Sequence, residues 1–214
     1  MFNRTTAYIL VIALAAGLGL WAAMRFFGPH EAPVPELQSV RLFQPARALP
    51  DFELTQSDGT ALEASELRGH WTAVFLGFTH CPDVCPTTLA ELARAQKRWE
   101  TIPEASRPRV LFVSVDPERD TPELIGRYAH AFHKDTLAAT GSLPALESFA
   151  KSLSMVFAKV PPPEGVPADR YLIEHSATIA VLDPQGRMAG LIRPPLEPEK
   201  IAADLQALSG ASAP

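Results

Sequence analysis

The 214-residue chain contains only two cysteines, Cys81 and Cys85. Two thiols four positions apart cannot frame a disulfide-stapled scaffold, so the fold must rest on an apolar core. No run of Lys or Arg occurs, and a formal net charge of −5 leaves no basic face for a nucleic-acid backbone. No internal repeat is present, which removes solenoids and arrays from consideration. Charged residues amount to 20% against 47% apolar, the balance of a globular domain and not of a disordered one. Proline is the one abundant oddity at 21 residues, and it clusters in segments that read as linkers and loops.

From Ala7 to Met24 the chain runs 18 residues without a charge, bracketed by Arg4 and Arg25. As a helix this stretch spans roughly 27 Å, close to the ~30 Å hydrocarbon core of a bilayer. Tyr8 and Trp21 stand near its ends, where aromatic rings favour the interface. A cleaved signal peptide has a shorter apolar core and a small-x-small cleavage site. The residues from Arg25 to His30 offer no such site, and no cysteine is near enough for lipidation. The expectation is an uncleaved anchor over 1–28, with the remainder of the chain on the exported side, periplasmic if the source is bacterial.

Pro29, Pro33, Pro35, Pro45 and Pro50 punctuate the next stretch without periodicity, so 29–47 reads as a semi-rigid spacer. A folded domain is expected over 48–209, with 210–214 a flexible tail. Within it, Phe52 to Leu62 around Asp58-Gly59 reads as a hairpin. Thr72 to Phe78 and Arg109 to Val115 are continuous apolar runs of strand length, suited to burial on both faces. Between them lies a helical stripe from Leu89 to Trp99. A second helix opens at Thr121, an N-cap followed by Pro122 at the first helical position. Leu137 to Thr140 is a short strand, followed by a helix over Leu143 to Leu153 and an apolar stretch from Met155 to Val160. Pro161, Pro162, Pro163, Gly165 and Pro167 then force an irregular loop. Strands over Thr178–Leu182 and Arg187–Ile192 flank the turn Asp183-Pro-Gln-Gly186, and a helix from Glu197 to Leu208 closes the domain. The first half requires a parallel crossover and the second gives an antiparallel hairpin with a final helix. The fold class is α/β: a thioredoxin-like mixed sheet flanked by helices, with an N-terminal hairpin extension and an N-terminal transmembrane helix.

The chemistry concentrates in Phe78-Thr-His-Cys-Pro-Asp-Val-Cys-Pro86, between a buried strand and the start of a helix. Ligand and redox sites of open α/β sheets form there. Positions i and i+4 share a helical face, so one metal can bridge both sulfurs, and a helix N-terminus favours thiolate. The spacing does not decide whether the helix begins at Pro82 or at Pro86. A disulfide closing so short a loop removes little chain entropy, so a structural staple is the weaker reading. Among the histidines, His30 falls in the spacer and His70 in a turn. His130 and His133 share a helix and read as exposed polar residues. His175 lies between the Pro-rich loop and the strand at Thr178, on an element that a thioredoxin-like fold turns toward the cysteines.

The Phe78–Pro86 segment resembles the signature of the Sco/SenC family of copper chaperones. Ser114-Val-Asp-Pro-Glu-Arg-Asp-Thr-Pro-Glu123, Glu174-His-Ser176 and Leu182-Asp-Pro-Gln-Gly186 resemble the family in order and spacing. The resemblance implies a thioredoxin-like fold binding one Cu(I) or Cu(II) through Cys81, Cys85 and His175. It further implies delivery of that copper to the dinuclear copper site of cytochrome c oxidase, with the copper-receiving subunit as partner. Other copper chaperones or thiol reductases are further expected partners. Two thiolates suit Cu(I) and an imidazole also suits Cu(II), although Zn(II) accepts the same donors. Asp83 and Asp116 are candidates for supporting the ligands, His80 is a weak ligand candidate, and Asp120 and Thr121 read as helix-start residues.

Two other functions use the same residues. A thiol–disulfide oxidoreductase would employ Cys81 and Cys85 as a redox pair, but has no use for His175. A redox or copper sensor is the other. A peroxide-reducing enzyme could use Thr79 before Cys81, yet the surrounding pattern does not match. No catalytic residue is assigned.

Overall fold

The computed structural model describes residues 3–27 and 36–211. It divides into two compact units, Met1–Val34 and Pro35–Pro214. The first contains one helix, α1 (Arg4–Phe27), long and apolar enough over Thr6–Ala23 to cross a membrane. Tyr8, Leu14, Leu18 and Trp21 are exposed on this helix.

The second unit is built on an eight-stranded mixed sheet. At its centre β4 (Thr72–Gly77) and β5 (Arg109–Ser114) pair in parallel, and every residue of β4 is buried. This is why both read as unbroken apolar runs: neither strand has a wet face. On one side β6 (Leu137–Thr140) continues the parallel set, followed by β2 (Leu54–Gln56) and β3 (Ala61–Leu62), the expected hairpin, joined antiparallel. On the other side β9 (Ile179–Leu182) and β10 (Met188–Ile192) run antiparallel to β4 and to each other. Their turn closes on Asp183, whose Oδ1 accepts the N–H groups of Gln185 and Arg187, with Gly186 at φ +74° where a side chain would be strained.

Helices α2 (Val84–Trp99), α3 (Pro122–Phe132), α4 (Leu143–Ser152) and α5 (Pro198–Ala211) flank the sheet. Trp99, fully buried, donates its indole N–H to the Ala202 carbonyl and so fastens α2 to α5. Thr121 caps α3 by accepting the Leu124 N–H, with Pro122 in the first turn as the sequence predicts.

Four expectations need correction. The predicted spacer over 29–47 ends earlier, because Val40–Arg47 forms an edge strand, β1, antiparallel to β10. Buried Asp204 on α5 anchors its start by accepting the N–H groups of Gln38, Ser39 and Val40. Pro45 is tolerated because an edge strand has unpaired positions. Pro29, Pro33, Pro35 and His30 lie outside the described residues. Second, the stretch beyond the Pro-rich loop holds a strand, β8 (Leu172–His175), which pairs with β7 (Phe157–Val160) in a separate two-stranded sheet. Third, α5 continues to Ala211, into the segment predicted as a tail, whose last residues 212–214 lie outside the described ones. Fourth, His133 is buried and not exposed, its Nδ1 accepting the Asp135 N–H.

Candidate metal centre

Helix α2 begins at Val84, so neither proline starts it, and Cys81 stands in the loop ahead of the helix while Cys85 lies in its first turn. The backbone N–H of Cys85 donates to Cys81 Sγ at 3.3 Å. A sulfur thus takes one of the first-turn amides that a capping side chain would otherwise satisfy. Gly77 closes β4 directly beneath. A Cβ there would come within 3.0 Å of Cys85 Sγ and 2.9 Å of the Phe112 ring, so the missing side chain makes the room that Cys85 occupies.

His175, at the end of β8, completes the group. Its Nε2 lies 3.3 Å from Cys85 Sγ, although the two residues are 90 positions apart in sequence. Its Nδ1 is 3.2 Å from the Ser176 carbonyl, which can only accept. Nδ1 therefore carries the proton, and the Nε2 lone pair faces the Cys85 thiol, which donates its S–H. The imidazole is wedged edge-on against Phe75 and Phe78. One ligand atom from each of Cys81, Cys85 and His175 lies within 4.8 Å of the others.

Burial decides the protonation states. It holds the His175 imidazole below its usual range despite the opposing bond to Ser176, so at neutral pH the ring is uncharged. Burial, then the hydrogen bond shared with Cys81, pushes the Cys85 thiol far above the ordinary cysteine range. Among the described residues no cation acts on Cys85, and a metal ion between the sulfurs and Nε2 would supply that charge. At metal–sulfur and metal–nitrogen distances of about 2.3 and 2.0 Å, trigonal geometry separates S from N by roughly 3.7 Å. The observed spacing needs to open by only a few tenths of an ångström. The donor set and its dimensions fit a soft cation, and loading must release the Cys85 proton.

The remaining sequence candidates lie around this group. Asp83 is exposed at the N-cap and makes no capping bond. His80 turns away from the sulfurs, its Nδ1 3.1 Å from Thr79 Oγ1 and 3.6 Å from Asp120 Oδ1. His80, Asp116 and Asp120 cluster within 4.8 Å, but both aspartates spend their oxygens on protein donors. Asp120 accepts the Thr79 N–H, the Thr79 hydroxyl and the Ser114 hydroxyl. Reading Asp120 as a helix-start residue is therefore a correction: it is buried and ties down the loop leading to Cys81. The same bonds occupy Thr79. Asp116 touches neither sulfur nor imidazole and binds Tyr171 and Arg119 instead. Gly77, Tyr171 and Arg119 escape sequence reasoning, since their roles depend on contacts between distant segments.

Fold and cluster together define a thioredoxin-like protein with a two-thiol, one-imidazole group at the carboxyl end of a central strand. Comparison with known proteins narrows this. The SCO1/SenC profile matches residues 41–210, and the chain belongs to that family. It is 34% identical over 180 residues to the bovine protein "SCO2 homolog, mitochondrial", covering 83% of this chain and 66% of the bovine one, just under two thirds of its length. The copper-bound structure of Bradyrhizobium japonicum ScoI matches with 34% identity and a TM-score of 0.65, over 74% of this chain and 98% of that one. The solution structure of apo Sco1 from Thermus thermophilus matches with 36% identity and a TM-score of 0.68, over 81% and 99%.

Proposed function

We propose that this chain is a membrane-tethered copper carrier. It holds one Cu(I) or Cu(II) on Cys81, Cys85 and His175 and hands it to the copper-receiving subunit of cytochrome c oxidase, at the dinuclear copper site. The observation that carries the reading is the delivery of an imidazole lone pair to within 3.3 Å of a buried thiol, with the second sulfur alongside. A disulfide exchanger has no use for that imidazole. Copper as the cargo follows from the soft donors and from the copper held by the Bradyrhizobium relative. Three protein ligands leave a coordination position through which an acceptor's ligand can enter, as transfer requires. In this reading 1–28 is an uncleaved anchor and the domain lies on the exported side.

A second reading, thiol–disulfide exchange on the acceptor's cysteines, draws on one observation. Cys81 is partly exposed at a helix start while Cys85 is buried, the asymmetry of an attacking and a resolving thiol. The raised Cys85 thiol argues against Cys85 as the attacking group. Both roles fit one dithiol.

Anaerobic Cu(I) titration of the full chain in detergent, with a chromogenic competitor, tests the primary reading. One copper per chain, taken up with release of protons, is the expected result. A stoichiometry of one copper per two chains, or none, would overturn it.

A further inference from the structure

The hairpin that carries His175 is not part of the main sheet. Among the described residues β7 and β8 pair only with each other, so hydrogen bonds to the main sheet do not fix where the imidazole sits. Besides the burial of Ile173 in the core, a short segment after β5 fastens the hairpin. Tyr171, buried at the foot of β8, donates its hydroxyl to Asp116 Oδ1 at 2.6 Å. Arg119 Nε donates to Asp116 Oδ2 at 2.6 Å, and Arg119 Nη1 donates to the carbonyls of Asp169 and Tyr171. The guanidinium carbon lies 3.6 Å from the Tyr171 ring centroid, and Lys159 Nζ from β7 lies 3.8 Å from it. Burial, reinforced by the bond to Asp116, raises the Tyr171 hydroxyl well above its usual range, so it remains a donor. The same segment holds the other half of the cluster, since Asp120 grips Thr79, two residues before Cys81.

We propose that Asp116, Arg119 and Tyr171 are positioning residues. They form a bracket that sets the distance between the His175 hairpin and the cysteine loop, and so determine how well the imidazole reaches a bound metal. The inference rests on the copper reading above and names what holds its third ligand. None of the three touches the ligand atoms. Their effect passes through the backbone of β8, four residues from Tyr171 to His175. Cu(II), which needs the nitrogen donor, depends on the bracket more than Cu(I), which two thiolates satisfy.

Tyr171→Phe in the full chain tests this, because it keeps the ring between Arg119 and Lys159 and removes only the hydroxyl. Thr136→Val serves as the matched control. It deletes another buried hydroxyl bond, to Gln96 near the far end of α2, and controls for general loosening. In the metal-free chain, amide exchange across 156–176 is expected to rise about tenfold in Tyr171→Phe and to stay unchanged in Thr136→Val. In the copper-loaded chain, Cu(II) affinity is expected to fall about 10- to 100-fold with altered paramagnetic resonance parameters, while Cu(I) affinity changes far less. Wild-type exchange and an unaltered Cu(II) signature in Tyr171→Phe would overturn the bracket. If the wild-type chain holds no copper through His175, the copper reading falls instead, and the metal-free exchange measurement still decides the bracket.

Discussion

Cys85→Ser is expected to lower Cu(I) affinity by about 10²–10³-fold, with little loss of stability. Four-ligand thiolate and imidazole zinc sites bind with about 10–16 kcal/mol, so one strong ligand contributes on the order of 3 kcal/mol. A serine oxygen is a hard donor and does not replace a thiolate for a soft cation. Cys85 is also where the local geometry converges. Its N–H reaches Cys81 Sγ, its sulfur reaches His175 Nε2, and Gly77 leaves the space it fills. Serine is nearly isosteric and its hydroxyl can still donate to His175 Nε2, so no buried acceptor is orphaned and the fold should hold. Competition titration measures the affinity and thermal unfolding checks the fold. A Cu(I) affinity within about threefold of wild type in a folded variant would exclude Cys85 as a ligand.

His175→Ala is expected to split the two oxidation states. Cu(II) affinity should fall about 10²-fold or more, with loss of its charge-transfer absorption, while Cu(I) affinity falls by roughly tenfold or less. Thiol–disulfide exchange with a small disulfide should persist, since both sulfurs remain. The variant also removes the acceptor of the Cys85 S–H and leaves a gap beside Phe75 and Phe78, so some stability is lost. Equal losses of copper binding and exchange would point to collapse of the site and not to loss of a ligand. Unchanged Cu(II) binding would leave a plain dithiol, and the oxidoreductase reading would then stand first.

These two residues differ in how visible they are from sequence. Cys81 and Cys85 declare themselves, because both lie in one short segment at a strand-to-helix junction and local spacing carries the signal. The central strands are equally legible: β4 and β5 are buried on both faces and therefore read as continuous apolar runs. His175 is legible only by way of the fold, since nothing local separates it from His130 or His133. β1 is hidden because Val40–Arg47 contains two arginines and Pro45, and its place depends on Asp204 more than 160 residues away. β8 is hidden because it pairs with β7, across the Pro-rich loop, and not with the main sheet. Asp116 is marked by its position after a core strand, but its role depends on Tyr171, 55 residues on, which no periodicity reveals. Asp120 looks like a helix-start residue for the same reason: its true partner, Thr79, is 41 residues earlier. Short-range chemistry and two-sided burial leave a mark on the sequence, whereas a bond between distant side chains leaves none.

X-ray absorption at the copper edge of the loaded full chain, wild type beside His175→Ala, probes the ligand set most directly. Two sulfur scatterers and one nitrogen are expected around copper in the wild type, with the nitrogen lost in the variant. A sulfur-only shell, or a shell identical in both proteins, would contradict the assignment of His175 to the metal.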